Sequence, residues 1–202
     1  MEVNATTVKE LREKTGAGIM DCKKALAESG GNLEKAVDYL RQKGLAAAAK
    51  KADRVASDGA VGAYVHPGGK IGVLVEINCQ TDFVARTTEF QTLLKDIAMQ
   101  VAAASPRYVR REEVAAEELE KEQFIYRQQA LEQGKPEQFI GKIVEGKMER
   151  FYSEVCLLEQ AFIKDPDKKV SDVLADAVAR LGENIQIRRF ARFHLGDGVQ
   201  KA

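Results

Sequence analysis

The chain has 202 residues, enough for one or two compact domains with a proper hydrophobic core. Lysine plus arginine and aspartate plus glutamate both total 31, so the formal net charge is zero, which disfavours nucleic acid as the main partner because neutralising phosphates takes a basic excess. No apolar run approaches the roughly 20 residues needed to span a bilayer, and the first seven residues lack a basic segment leading into an apolar one, so a soluble, helix-rich cytosolic protein is expected.

The first 44 residues read as three short helices. Thr7 and Glu10 have the spacing of a capping box. Gly16-Ala17-Gly18 breaks the chain before a helix that starts at Ile19, and Gly30-Gly31-Asn32 offers a helix end followed by an N-cap. The third helix places Leu33, Ala36, Val37 and Leu40 on one face and is expected to stop at Gly44. Residues 45–54 are rich in alanine and lysine and read as a helical connector. From Ala60 the period changes to two. Val61, Ala63 and Val65, then Ile71, Val73, Val75 and Ile77, form two alternating runs around Pro67-Gly68-Gly69-Lys70, the pattern of an antiparallel hairpin.

Helical spacing returns from Glu89 to Ala104, breaks at Ser105-Pro106, and resumes from about Glu112 to Gln133. After Gly134-Lys135-Pro136 it continues through Phe139, Ile140, Ile143, Val144, Phe151, Val155 and Leu158, so the helices flanking that break are expected to pack as a hairpin. Asp165-Pro166-Asp167 ends this region. A helix capped by Ser171 and stopped by Gly182 follows, and the last element, Ile185 to Leu195, alternates as a strand. Arg189 interrupts its apolar face, which implies a bulge or a locally exposed edge. The fold class is therefore α+β: a three-helix module over 1–44, a helical connector over 45–59 and a core over 60–195, then a tail over 196–202. The core combines a three-stranded antiparallel sheet with packed helices and a helical insertion at about 106–164.

Motifs for covalent chemistry are weak. Gly141, Gly146 and Lys147 imitate the start of a phosphate-cradling loop, but Met148 stands where a magnesium-binding hydroxyl is required and helical spacing runs straight through. No cofactor, metal ligand set or catalytic residue is assigned. Cys22, Cys79 and Cys156 form no C-x-x-C pair and are expected to be buried reduced thiols, with a cysteine nucleophile served by His66 or His194 as the alternative. The run Arg188-Arg189-Phe190-Ala191-Arg192 reads either as the wet side of an edge strand or as an RNA contact. The segment after the second strand stands apart. Thr81 is placed to cap a helical turn whose positive end suits Asp82, and Phe83 follows at its start. The simplest physical expectation is an aromatic folded into the core beside the sheet.

Asn78-Cys79-Gln80-Thr81-Asp82-Phe83-Val84-Ala85-Arg86 resembles the signature of the elongation factor Ts family, as does the long N-terminal stretch from Val8 to Leu26. The resemblance extends through the hairpin and the closing strand. It implies a ubiquitin-associated-like helical module and a core domain that together act on the GTPase elongation factor Tu. The protein would promote GDP release by binding, with no chemistry or cofactor of its own. It implies that Thr81, Asp82, Phe83 and Val84 meet the partner beside its magnesium site, with Asp82 and Phe83 intruding. Leu11, Arg12 and Met20 would grip the same GTPase domain elsewhere. Strands suffice for only one core subdomain, as in the short form of the family, which implies a homodimer and a two-to-two complex. The terminal strand and the helical region are both candidates for the dimer surface.

Overall fold

Asn4 opens the first helix by accepting a hydrogen bond from the Thr6 amide at 3.0 Å. The computed structural model describes residues 4–198, so part of the expected tail, 199–202, lies outside the described residues. Helix α1 spans Ala5–Thr15 and α2 Ile19–Glu28. The cap of α1 is thus Asn4 and not Thr7, which already lies inside the helix; an asparagine three residues earlier caps at least as well and adds most of a turn. Helix α3, Leu33–Ala49, is capped by Asn32, which accepts from the Lys35 amide at 3.0 Å.

Helix α3 passes through Gly44 where a stop was expected. Gly44 is buried, and a Cβ there would lie 3.7 Å from the Ala179 side chain. That is ordinary van der Waals contact, so glycine is accommodated there rather than required, and the alanines that follow carry the helix onward by propensity. Val8, Leu11, Cys22, Ala25, Leu26 and Ala36 form the core of the three helices, with Leu33, Val37 and Leu40 packed against it.

The hairpin follows as expected. Strands β1, Asp58–Val65, and β2, Ile71–Cys79, are closed by a bond from the His66 amide to the Ile71 carbonyl at 2.9 Å. Helix α4 is one short turn, Asp82–Ala85, and α5 spans Thr88–Ala104. Helices α6, Ala116–Glu132, and α7, Glu137–Val155, pack against each other across the short break at Gly134. Gly141, Gly146 and Lys147 lie in the middle of α7, where Lys147 Nζ donates to Gln129 of α6 at 2.6 Å.

Two short strands, β3 (Ala161–Phe162) and β4 (Asp165–Lys169), then pair antiparallel. This pair was not expected, because Asp165-Pro166-Asp167 reads as a breaker. Helix α8, Val170–Leu181, leads into β5, Gln186–His194, which completes a three-stranded antiparallel sheet of order β1-β2-β5.

The chain forms two compact units, neither continuous in sequence. Among the described residues, the first comprises those up to 60 with 77–94 and 172–186, and the second 61–76, 95–171 and those from 187 onward. In the second unit the base of the α6–α7 pair is tied by ions and buried amides. Arg111 donates to both oxygens of Glu149 at 2.8 Å and to both oxygens of Glu159 at 2.9 and 3.0 Å, and its guanidinium stacks 4.5 Å above the Tyr152 ring. Lys169 adds a bond to Glu159 at 2.9 Å. Fully buried Gln100 donates to Gln160 and to the Ala161 carbonyl, and accepts from the Ile163 amide. Such a network is tolerated in a core because each polar atom finds a partner.

Two stability predictions follow from this geometry. Gly59 adopts a φ of +140°, and a Cβ there would stand 2.2 Å from the Ile77 carbonyl oxygen and 2.7 Å from Asn78 Cα. Gly59→Ala is expected to cost about 2 kcal/mol or more, a fall of roughly 4 °C or more in Tm. Gly146→Ala, with open space around it on helix α7, is expected to gain about 0.5 to 1 kcal/mol; thermal melts of both variants check the contrast. The hydrogen bond from Arg111, followed by that from Lys169, outweighs burial and holds the Glu159 carboxyl below its ordinary value of 4.5. A carboxyl lowered on folding adds stability above its unfolded value and loses it as pH falls through the folded value. The Tm gap between the wild type and Glu159→Gln is therefore expected to be full at neutral pH and to close below the carboxylate range, as measured by melts across pH.

Candidate functional site

Strand β2 delivers its buried face, Val73, Val75, Ile77 and Cys79, directly into the segment Gln80–Arg86. Thr81, in extended conformation, caps α4 by accepting from the Val84 amide at 3.4 Å. The far end of the turn is tied by Thr87, whose hydroxyl donates to the Val84 carbonyl at 2.8 Å, and by Gln91, whose amide donates to the Ala85 carbonyl at 2.8 Å. Cys79 Sγ donates to the Thr81 carbonyl from beneath at 3.1 Å. Backbone atoms from Thr81 to Ala85 are thus held by side chains from both flanks.

What this frame presents is Phe83. Its side chain is 81% exposed, so the expectation of an aromatic folded into the core is overturned. Leaving a phenylalanine in water forgoes about 2 kcal/mol of burial. Ala85, two residues on, is the buried residue of the turn. Asp82 lies at the N-terminal end of the turn, where the helix amides favour a negative charge, and pairs with Arg86 at 2.8 Å on the surface. Val84 is partly buried.

Residues that sequence reasoning passed over hold the turn from a distant part of the chain. Gly182, at φ +80°, ends α8 and turns the chain so that Glu183 and Asn184 face Gln80 and Thr81. Glu183 Oε2 accepts from the Gln80 amide at 2.9 Å and the Thr81 amide at 3.0 Å, while Oε1 accepts from the Thr81 hydroxyl at 2.7 Å. The Asn184 amide donates to Gln80 Oε1 at 3.0 Å, and its buried side chain donates to the carbonyls of Ala52 and Arg54. Read in sequence, Gly182-Glu183-Asn184 is only a helix stop, and no local signal points to a partner about a hundred residues away.

The N-terminal candidates separate. Met20, 74% exposed at the start of α2, and Arg12, exposed on α1, lie on the surface. Leu11 is fully buried in the core of the three helices, so it fixes α1 from within. Ile19, not singled out from the sequence, is exposed beside Met20.

The competing chemistries find little support. All three cysteines are buried, and burial is the main cause that raises each thiol above its ordinary value of 9.0, Cys156 to about 11. Raised thiols stay protonated near neutral pH and are poor nucleophiles. Among the described residues no group of three His, Cys, Asp or Glu side chains is placed to hold a metal ion, and no helix is long and apolar enough to cross a membrane. On β5, Arg189 pairs with Glu76 at 2.7 Å and Arg192 donates to the Ala102 carbonyl at 3.4 Å, so these two guanidinium groups are engaged within the fold.

Comparison with known proteins agrees with the sequence resemblance. A family model described as elongation factor TS matches residues 3–197. A protein named elongation factor Ts from Geobacter sulfurreducens is 63% identical over 201 residues, covering 100% of this chain and 93% of its own length. One of the same name from Anaeromyxobacter dehalogenans is 66% identical over 200 residues, covering 99% of this chain and 91% of its own length. Another from Desulforamulus reducens is 62% identical over 200 residues, covering 99% and 92%. The chain therefore belongs to the elongation factor Ts family.

Proposed function

We propose that this protein is a guanine-nucleotide exchange factor that binds elongation factor Tu in its GDP state and promotes release of the nucleotide. The observation that carries the reading is Phe83, an exposed aromatic on a turn whose backbone is hydrogen-bonded on both sides. The backbone that carries such a side chain is already fixed before it meets a partner, so docking it costs less conformational entropy. Phe83 wedges between helices of the partner's GTPase domain, flanked by Thr81 and Val84, while Asp82 rearranges polar groups near the magnesium ion. GDP and the ion stabilise each other on such a GTPase. A protein that favours the empty arrangement weakens nucleotide by the same free energy with which nucleotide weakens it. Residues 1–44 serve as a docking module, with Met20 and Arg12 on its surface and Leu11 supporting them from the core. The reaction is an exchange of binding partners in the cytoplasm, with no bond made or broken by this chain and no cofactor of its own.

A homodimer, and hence a two-to-two complex, belongs to the same proposal. On β2 the side chains alternate, with Val73 and Val75 buried and Leu74 exposed. Val61 and Val65 of β1 and Phe193 of β5 are exposed as well, so the sheet exposes apolar side chains on all three strands, alongside the Arg189–Glu76 ion pair. Exposed apolar side chains gathered on one sheet among charged ones mark an interaction surface, and a second copy of this chain is its proposed cover. The alternative of an RNA-binding β5 is less favoured, because Arg189 and Arg192 already have partners within the fold.

Two experiments test these readings. Release of a fluorescent GDP analogue from elongation factor Tu, under excess unlabelled nucleotide, should accelerate at substoichiometric factor. Phe83→Ala and Asp82→Ala should each lose much of that acceleration; for Phe83 the loss expected of a central aromatic anchor, about 2 kcal/mol, is roughly thirtyfold. A wild-type rate in Phe83→Ala would remove the wedge. For the dimer, Leu74→Lys and Phe193→Glu should convert a dimeric species to monomer in sedimentation velocity with an unchanged circular dichroism spectrum. A wild-type protein that sediments as a monomer throughout would sink it.

A further inference from the structure

We infer that Glu183 is a positioning residue for nucleotide exchange: its carboxylate sets the Gln80–Thr81 backbone, and through it the direction in which Asp82 and Phe83 are presented. The inference rests on the proposed wedge role of Asp82 and Phe83 and adds a residue remote in sequence that makes the wedge rigid.

The geometry is a three-point grip. Glu183 Oε2 takes the two successive amides of Gln80 and Thr81 at 2.9 and 3.0 Å, and Oε1 takes the Thr81 hydroxyl at 2.7 Å. A carboxylate that accepts two adjacent amides orients the peptide plane between them, because both N–H vectors must converge on one oxygen. The third bond acts on the helix. By using the Thr81 hydroxyl hydrogen, it leaves the lone pairs of that oxygen directed at the Val84 amide, which Thr81 caps at 3.4 Å. A long cap bond of this kind is easily lost by rotation of the threonine side chain, and Glu183 fixes the rotamer that makes it. Asn184 locks the neighbouring register by donating its own amide to Gln80 Oε1 and its side chain to Ala52 and Arg54.

None of these bonds reaches Asp82 or Phe83 directly. Phe83 remains 81% exposed and free to meet a partner, whereas the backbone that aims it is over-determined. Loss of the grip therefore leaves every partner-facing side chain present and removes only its fixed direction. An effect of this kind falls on the step in which the wedge is driven home and spares the encounter made by the rest of the surface.

The test is a titration of factor against elongation factor Tu carrying a fluorescent GDP analogue, reading the maximal release rate and the half-saturating concentration separately. Glu183→Ala should lower the maximal rate roughly tenfold or more, the size set by losing a charge-assisted hydrogen bond, with half-saturation changed by less than about twofold. Amide hydrogen exchange at Gln80, Thr81 and Val84 should quicken in the same variant. Glu183→Gln should recover most of the rate, because its carbonyl takes the two amides and its NH₂ donates to the Thr81 hydroxyl oxygen. If Glu183→Ala does not melt cooperatively, Glu183→Asp, one methylene too short to reach, replaces it.

Phe83→Ala is run alongside. A slow Phe83→Ala with a full-speed Glu183→Ala overturns the positioning role and leaves the wedge standing. A loss confined to half-saturation, or a glutamine variant as slow as the alanine one, also overturns it, since the carboxylate would then act as a contact or a charge. A full-speed Phe83→Ala overturns the wedge itself, and the positioning role with it, whatever the Glu183 variants do.

Discussion

The first compact unit depends on one helix and the turn that ends it. Helix α8 and the residues after it touch each of the segments that compose this unit. Asp172 is buried and takes the Arg41 guanidinium of α3 at 2.7 Å. Ala179 lies against Gly44 of α3, and the Arg180 side chain covers Gly16 between α1 and α2. The Val178 carbonyl accepts from Lys51 at 3.4 Å, and beyond Gly182 the Glu183-Asn184 pair reaches the turn after β2 and the carbonyls of Ala52 and Arg54. Ion pairs of this kind, a half-exposed arginine on a buried aspartate, are weak evidence of stability singly. Their worth lies in being tied to a common rigid element, so that three stretches of chain far apart in sequence share one geometry. A helix of this length is marginal alone, and its packing is what makes it a frame.

Exposed apolar surface in this protein takes two different shapes, and the shapes suit different partners. Phe83 is a single protruding ring on a tight turn, with the charged Asp82–Arg86 pair around it. A protrusion gains from entering a cleft that surrounds it, and gains little against a flat surface. Val61, Val65, Leu74 and Phe193 instead spread over the outer face of a sheet. A flat, extended face suits another flat face, which a second copy of the chain supplies by symmetry.

Local signals in the sequence carried most of the architecture. The change of period at Ala60, the glycine-rich turn at Pro67–Lys70 and the breaks at Ser105 and Gly134 mark elements that are found, although the helix expected from about Glu112 begins only at Ala116, after a separate turn at Arg111–Glu113. Thr81 capping α4 was legible for the same reason, since a cap acts within three residues. What failed were features decided by tertiary partners. Gly44 looked like a stop, because nothing local shows that it lies buried against Ala179 inside a continuing helix. The β3–β4 pair was hidden behind Pro166 and its charged neighbours, because its pairing is supported by the buried Gln100 and Gln160 amides rather than by apolar alternation. Leu11 looked like surface because a motif names positions and not directions; helix packing turned it inward. At the site itself, composition favoured a buried Phe83, and only the resemblance pointed outward. Glu183 had no local trace at all.

The site's chemistry is consistent with a protein that works by binding. Behind the turn stands Cys79, whose thiol is pushed up first by burial and next by the negative charge of Glu183; it donates to the Thr81 carbonyl and so serves the backbone rather than a reaction. A binding-only mechanism places a different demand on structure from catalysis. No group needs a tuned proton affinity, but the free energy of association must be converted into displacement of something on the partner. A flexible Phe83 would relax into whatever space the partner offered and displace nothing. The conversion therefore requires stiffness at the base of the side chain and freedom at its tip, which is the distribution found here: a backbone gripped by Glu183, Thr81, Thr87 and Gln91, and a ring left in water. In the proposed exchange, reciprocity means that nucleotide bound to the partner would push back on the same turn, with the free energy by which the factor weakens nucleotide.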